Sequence, residues 1–355
     1  MRNFLTKEWL FLFGITILFY NCDGNEKFEV NPFTDHHNSS PVIKKCELQK
    51  NVIPSDKLRE AELIDSLFLS GNLFEIAEVD SNEIYLFSKA DQKLYRVLRT
   101  ENNFVVDLIS DSGAGPDQIE NGIRFFSIGN RHFIIQRNRV TELKSFNEAV
   151  ELNVLHTFRD YINYFKIMED GLYLVNKFTP DDNASLRLVG ENFVDKGIYY
   201  GGKIITNNGN KYDSILDFSL VGTNGSNEIQ IFNYLPFIGV FNQDRVLKKV
   251  FRVSPFYQIH LSSDDGSLLK IDFEETEIFT QIVNLYQFNQ GTWIIFEDLH
   301  LDKDVNEFRV KQKNYRYFLL KKDLELECIG VSKYYILPLK NGFIFNKDGS
   351  VFKTD

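Results

Sequence analysis

The sequence predicts an all-β fold, a six-bladed β-propeller of four-stranded antiparallel blades closed by an N-terminal strand. Three observations predict it. Strand formers dominate, with 33 Phe and 16 Tyr against 2 Met and 8 Pro. Turn signals recur between apolar runs: Asp80-Ser81-Asn82, Gly129-Asn130, Glu169-Asp170-Gly171, Asn224-Gly225-Ser226, Asn289-Gln290-Gly291 and Asn341-Gly342. Ser81 and Asn341 lie 260 residues apart, five intervals with a mean of 52. Each turn sits between two strand-like runs, with further runs after most, so each unit carries four strands.

The N-terminus reads as an address. Arg2 and Lys7 precede an unbroken apolar run, Trp9 to Tyr20. Twelve residues of helix rise about 18 Å, short of a hydrocarbon core of about 30 Å. Residues 1–21 therefore read as a signal peptide. Cys22 follows directly, and the arrangement resembles the lipobox of bacterial lipoproteins, with Leu18 one place earlier than usual. That resemblance implies cleavage before Cys22 and lipidation of its side chain and new N-terminus. Residues 22–45, polar and without periodicity, read as a flexible tether, and 46–355 as the propeller. His36-His37 in the tether lacks further metal ligands at suitable spacing and reads as solvated linker.

In the first unit, IYLF follows the turn and KLYRVL and FVVDLI come next; TWIIFE and FIF mark the fifth and sixth. The sixth unit is short of a strand, and 47–70 is positioned to supply it. Tyr257–Leu261 and Leu268–Phe273 flank Asp264-Asp265-Gly266, either an extra hairpin or a seventh, degenerate blade.

Ser110 to Gly122, SDSGAGPDQIENG, joins the outer strand of the first unit to the inner strand of the second. A phosphate-cradling loop needs Lys-Ser or Lys-Thr after its glycines and a following helix; here Pro116-Asp117-Gln118 and a strand follow. Pro116 also argues against a flexible linker. Gly113-Ala114-Gly115-Pro116, then Asp117, Gln118 and Ile119, resembles the interblade motif of bacterial six-bladed β-propeller lipoproteins, related to NHL-like and TolB-like propellers. The resemblance implies architecture more than activity. Gly113 and Gly115 are expected to serve the backbone.

The candidate ligand face is the one carrying these junctions and the loops between second and third strands, at the mouth of a central channel. It holds Gly113, Gly115, Pro116, Asp117, Asp181, Asp182, Asp298, His300, Asp302 and Asp304. The last four open an expected loop, Glu297 to Asn314. Their alternation could offer oxygens to a divalent cation, but the glycine turn and terminal Glu of a calcium loop are missing, so a solvated acidic loop is expected. An acidic mouth favours cationic or hydroxyl-rich ligands.

Arg309, Lys311, Lys313, Arg316, Lys321 and Lys322, interleaved with Tyr315, Tyr317 and Phe318, mix charge and aromatics as nucleic-acid sites do. Alternation around 315–320 reads instead as a half-buried strand. Net charge is −10, and residues 1–21 contribute +1, so the rest carries −11, a field that repels polyanions. No catalytic set emerges from His132, His156 or His260, no serine sits in a nucleophile elbow, and no cofactor is implied. Cys46 and Cys328 are expected as free, separated thiols, because Cys46 precedes the segment assigned to blade six while Cys328 lies in blade five. The function expected is a lipid-anchored, monomeric, non-catalytic module of the outer membrane that binds a ligand, peptide, glycan or protein of the envelope. The alternative is a lyase or hydrolase at the channel mouth, metal-assisted in some NHL-like propellers.

Overall fold

The computed structural model describes residues 31–33, 41–46, 51–65, 74–78, 82–101, 103–113, 115, 118–128, 131–146, 149–158, 161–167, 173–178, 186–190, 195–198, 219–244, 246–258, 261–263, 269–271, 276–302, 309–347 and 350–354. The signal segment, Cys22 and most of the tether lie outside the described residues.

In chain order come β1 (Val42–Lys45), a one-turn helix α1 (Ser55–Arg59) and β2 (Glu62–Asp65). Then follow β3 (Phe74–Glu78), β4 (Glu83–Ser88), β5 (Lys93–Arg99), β6 (Phe104–Ser110), β7 (Gly122–Ile128), β8 (Arg131–Gln136), β9 (Arg139–Phe146) and β10 (Ala149–Thr157). The middle of the chain gives β11 (Tyr161–Ile167), β12 (Tyr173–Phe178), β13 (Leu186–Val189), β14 (Asp195–Ile198), β15 (Ser219–Asn224), β16 (Asn227–Phe232), β17 (Phe237–Phe241) and β18 (Leu247–Ser254). The remainder is β19 (Leu261–Ser263), β20 (Leu269–Ile271), β21 (Ile278–Phe288), β22 (Gly291–Leu301), β23 (Val310–Lys321), β24 (Leu326–Ser332), β25 (Ile336–Pro338), β26 (Phe343–Lys347) and β27 (Ser350–Thr354).

The chain divides into two compact units, 53–201 with 334–355 and 1–52 with 202–333. In the former, three successive four-stranded antiparallel meanders, β3–β6, β7–β10 and β11–β14, are joined by a sheet ordered β2-β27-β26-β25. Consecutive sheets pack face to face. Phe87 and Leu94 meet Ile134 and Leu143 around Ile119, and Phe133 and Val140 meet Ile162, Phe165 and Val189. Interior strands such as β4 are buried along almost their whole length, whereas the outer strand β6 is largely exposed or half-exposed. That difference explains why inner runs such as IYLF look continuously apolar. β2 pairs antiparallel with β27, Glu62 opposite Lys353 and Leu63 opposite Phe352.

The other unit holds the four-stranded β21–β24 sheet, a two-stranded β19–β20 hairpin and a five-stranded sheet ordered β1-β18-β17-β16-β15. Ile229, Ile231, Phe251, Ile294, Phe296 and Phe318 fill the core of this unit. Turn chemistry at Asn224-Gly225-Ser226 is as expected: Gly225 takes φ 61° between β15 and β16. At Gly291 a Cβ would meet the Leu320 carbonyl oxygen at 2.1 Å, so the opening of β22 tolerates only glycine. Meanders of four antiparallel strands packed face to face are the blades of a β-propeller.

Several expectations are corrected. Among the described residues five sheets have four strands, not the six expected, and that of β15–β18 has five, because β1 adds in parallel to β18, Val42 opposite Phe251. Of the two alternatives for the 257–273 segment, the described residues show the extra hairpin, β19 paired with β20. Part of the segment read as a tether is structured: β1 lies within it, and Phe33 is 1% exposed, its ring against Phe232 and Phe241. Phe33 covers Gly239, where a Cβ would stand 2.5 Å from the ring. A glycine in mid-strand makes the seat.

The largest correction concerns the cysteines. Cys46 and Cys328 form a disulfide, with Cα atoms 5.2 Å apart. The expectation of free thiols assumed that the chain after Cys46 runs directly to the last blade. It runs first along β18, where the Cys46 amide donates to the Ser254 carbonyl at 2.9 Å, and then to β24, where Asn51 bridges Val331 in parallel. The N-terminal segment therefore crosses from one outer strand to another and brings Cys46 onto β24.

Candidate functional site

The junction between β6 and β7 folds onto itself. The Gln118 side-chain oxygen accepts from the Gly115 amide at 2.9 Å, and the Gln118 amide donates to the Gly115 carbonyl at 3.1 Å. The Gly113 amide donates to the Ile119 carbonyl at 3.1 Å, and the Ile119 amide to the Asp111 carbonyl at 3.0 Å. Arg139 Nη2 reaches the Gln118 carbonyl at 3.1 Å. A Cβ on Gly113 would sit 2.1 Å from Gln118 Oε1, and one on Gly115 2.9 Å from it. The glycines thus make room for the glutamine that closes the loop. Ile119, fully buried, plugs the core beside Phe87 and Phe125.

The second candidate region differs from the expected loop. Because β22 continues to Leu301 and β23 begins at Val310, Asp298 and His300 stand on a strand. Asp298 is 4% exposed and accepts from Arg316 Nε and Nη2, both at 2.7 Å. Thr280 Oγ1 donates to Asp298 Oδ1 at 2.6 Å and accepts from Arg316 Nη2 at 3.0 Å. Arg316 Nη1 donates to the Pro255 carbonyl, and the Tyr257 amide donates to Thr280 Oγ1 at 3.1 Å. A buried ion pair thereby ties the segment after β18 onto β21. Arg316 is 0% exposed, and Tyr315 to Leu320 are all buried, so the expectation of a half-buried strand fails here. Sheets packed on both faces bury both sets of alternating side chains.

On the same side of this hairpin, cross-strand pairing sets Asp298 opposite Asn314 and His300 opposite Gln312. Asn314 Nδ2 lies 3.2 Å from His300 Nε2, and Gln312 Nε2 donates to Asn314 Oδ1 at 3.0 Å. On the alternate side, Glu297 accepts from Gln281 Nε2 at 2.8 Å and pairs with Lys313 at 3.5 Å. The Asp302 amide donates to the Arg309 carbonyl at 2.8 Å, closing the strand pair. β21, β22 and β23 have 11, 11 and 12 residues, the longest strands described. The extra length carries a polar ladder of imidazole and side-chain amides, rooted in the buried Asp298–Arg316 pair.

The remaining histidines serve locally. Ser127 Oγ lies 2.8 Å from His132 Nδ1, and the His132 ring meets Tyr85 edge-on at 5.4 Å. Burial lowers the His132 pKa, against the opposing charge of Glu83. Burial, followed by the charge and hydrogen bond of Glu83, pushes the Tyr85 hydroxyl up to about 12. His156 stacks edge-on with Phe158 at 4.6 Å. His260, Pro116, Asp117, Asp181, Asp182 and Asp304 lie outside the described residues. Among the described residues no group of three His, Cys, Asp or Glu could hold a metal ion.

Sequence reasoning missed Arg316, Thr280, Gln312 and Asn314, and also Glu75, which is 2% exposed, pairs with Lys89 at 2.8 Å and accepts from the Phe125 amide. For Arg316 and Glu75 the one sequence signal is a charge enclosed by apolar residues, as in NYRYF and LFEIA.

Sequential antiparallel blades, with polar groups turned into the sheets, define a β-propeller. No family model matches the chain, and no curated protein matches it. Solved structures share the fold. A Bacteroides fragilis protein assigned as exported is 11% identical and aligns over 89% of this chain and 99% of its own, with a TM-score of 0.55. A member of the DUF4221 family from Bacteroides vulgatus is 11% identical over 83% of this chain and 95% of its own, with a TM-score of 0.53.

Proposed function

We propose that the chain is an exported, lipid-anchored and non-catalytic β-propeller that binds a polar, hydroxyl-rich ligand or an envelope protein along the β22–β23 hairpin. The polar ladder of His300, Gln312 and Asn314 carries this reading. Side-chain amides and an imidazole supply donors and acceptors that hydroxyl groups can pair with. The Cys46–Cys328 bond supports export, since disulfides persist in oxidising compartments. Lipidation at Cys22, an outer-membrane location, a monomeric state and kinship with NHL-like or TolB-like propellers belong to the same proposal. So does the count of six blades, taking the five-stranded sheet as one and letting β2 complete the last.

Capture of partners from envelope membranes tests it, using the anchored protein beside a His300→Ala/Asn314→Ala variant. Loss of captured material in the variant supports the reading; undiminished capture overturns the assignment to the hairpin. Stoichiometric metal in the purified protein would favour the alternative, a lyase or hydrolase.

A further inference from the structure

The proposal of a lipid at Cys22 acquires a direction from Phe33. With Phe33 seated on Gly239, only residues 23–30 separate Cys22 from the described Asn31, at most about 30 Å of chain. Gly239 lies opposite Val250 on β18, and β1 is the next strand out, so the seat is two strands, about 10 Å, from β1. A short leash therefore emerges beside the edge of the five-stranded sheet.

That edge is unusual in what it exposes. Ile43 is 57% exposed and Val42 40%, two aliphatic residues flanking the edge on opposite faces of an outermost strand. Lys44 and Lys45 follow at once, Lys45 exposed and Lys44 half-buried. The protein as a whole is acidic, so a cluster of cations beside aliphatic side chains runs against its average. Aliphatic tips entering the interface, with long cationic side chains reaching phosphates around them, are what a protein lying on anionic phospholipid needs.

We propose that the β1 edge is a membrane-docking surface, laid against anionic phospholipid by the lipid on Cys22. It rests on the lipoprotein reading for its anchor, and it goes further in fixing which side of the molecule faces the bilayer.

The test uses Cys22 as the one free thiol of the mature chain, since Cys46 and Cys328 are bonded to each other. The full mature protein is coupled through Cys22 to maleimide lipid in phosphatidylethanolamine vesicles containing phosphatidylglycerol. Trp293, 5% exposed, is the only native tryptophan beyond the signal segment. Ile43→Trp should be quenched by brominated lipid, and Ser226→Trp, in the exposed β15–β16 turn at the far end of the same sheet, should not. Adding Lys44→Glu and Lys45→Glu, or replacing phosphatidylglycerol with phosphatidylcholine, should weaken the quenching about fivefold per lysine effect removed. Equal quenching at 43 and 226, or quenching indifferent to lipid charge, overturns the docking surface. Chemical coupling makes this outcome independent of lipidation in cells. Membrane fractionation of Cys22→Ser tests that separately.

Discussion

The junction between β6 and β7 holds its shape with backbone groups and side chains near the surface, the exposed Gln118 closing the loop and Arg139 reaching its carbonyl. The β21–β24 sheet is held by a charged pair taken wholly out of water. In the junction, Gln118 satisfies Gly115 at the surface, where water competes for every bond, and the tight packing comes from Ile119 beneath. In the sheet, Arg316 and Asp298 have surrendered their hydration and depend on each other, on Thr280 and on a carbonyl. The net contribution of such a pair is often small, yet removing one partner strands the other charge. A contact's worth and the cost of deleting it are therefore different quantities, and the two regions separate them.

The largest expected effect is Arg316→Ala, which strands Asp298 and should lower stability by about 3–5 kcal/mol. Denaturant unfolding measures it. Arg316→Met combined with Asp298→Val should recover more than half of the loss; if the double variant is as unstable as the single, the ion pair is not what is being lost.

Removing the disulfide comes next. Cys46→Ser with Cys328→Ser opens a closure of sequence separation 282 and should cost about 2–5 kcal/mol. Mass spectrometry of the unreduced, alkylated wild type should show the cross-linked peptide. Its absence would return Cys46 to the position expected from the sequence.

Ile119→Ala leaves a cavity under the junction and should cost about 2–4 kcal/mol. Gln118→Ala removes only surface-accessible hydrogen bonds and should cost about 1 kcal/mol or less. A Gln118 effect larger than the Ile119 effect would reverse the account of what holds the junction.

The smallest effect is a pH dependence at His132. Burial holds its folded pKa below the ordinary 6.5, so on acidification the unfolded chain takes up the proton first. The contribution is full above pH 6.5 and is lost as pH falls from there toward the lowered folded value. Wild type should therefore lose about a degree more of Tm than His132→Gln between pH 7.5 and 5.5. Equal losses would mean that the imidazole titrates as if exposed.

Much of the architecture was legible because it is periodic. Strands flanking Asn224-Gly225-Ser226 and Asn289-Gln290-Gly291 announce themselves through local rules: glycine for special backbone geometry and continuous apolar runs for strands covered on both faces. The candidate site was less legible. Asp298 looked like the start of an acidic loop because alternating Asp and His are polar whether they face water or a buried arginine, and nothing local distinguishes the cases.

The sequence by itself determined the blade-like repeat, because its turns and apolar strands are each set by neighbours within a few residues. Only the tertiary structure decided that Arg316 is buried, that Phe33 is seated on Gly239 and that Cys46 meets Cys328. Each of these joins residues tens to hundreds of positions apart, and their meeting depends on which outer strand the N-terminal segment follows. That choice is made by backbone pairing and shape at a sheet edge, where hydrogen bonds are offered to any strand that arrives.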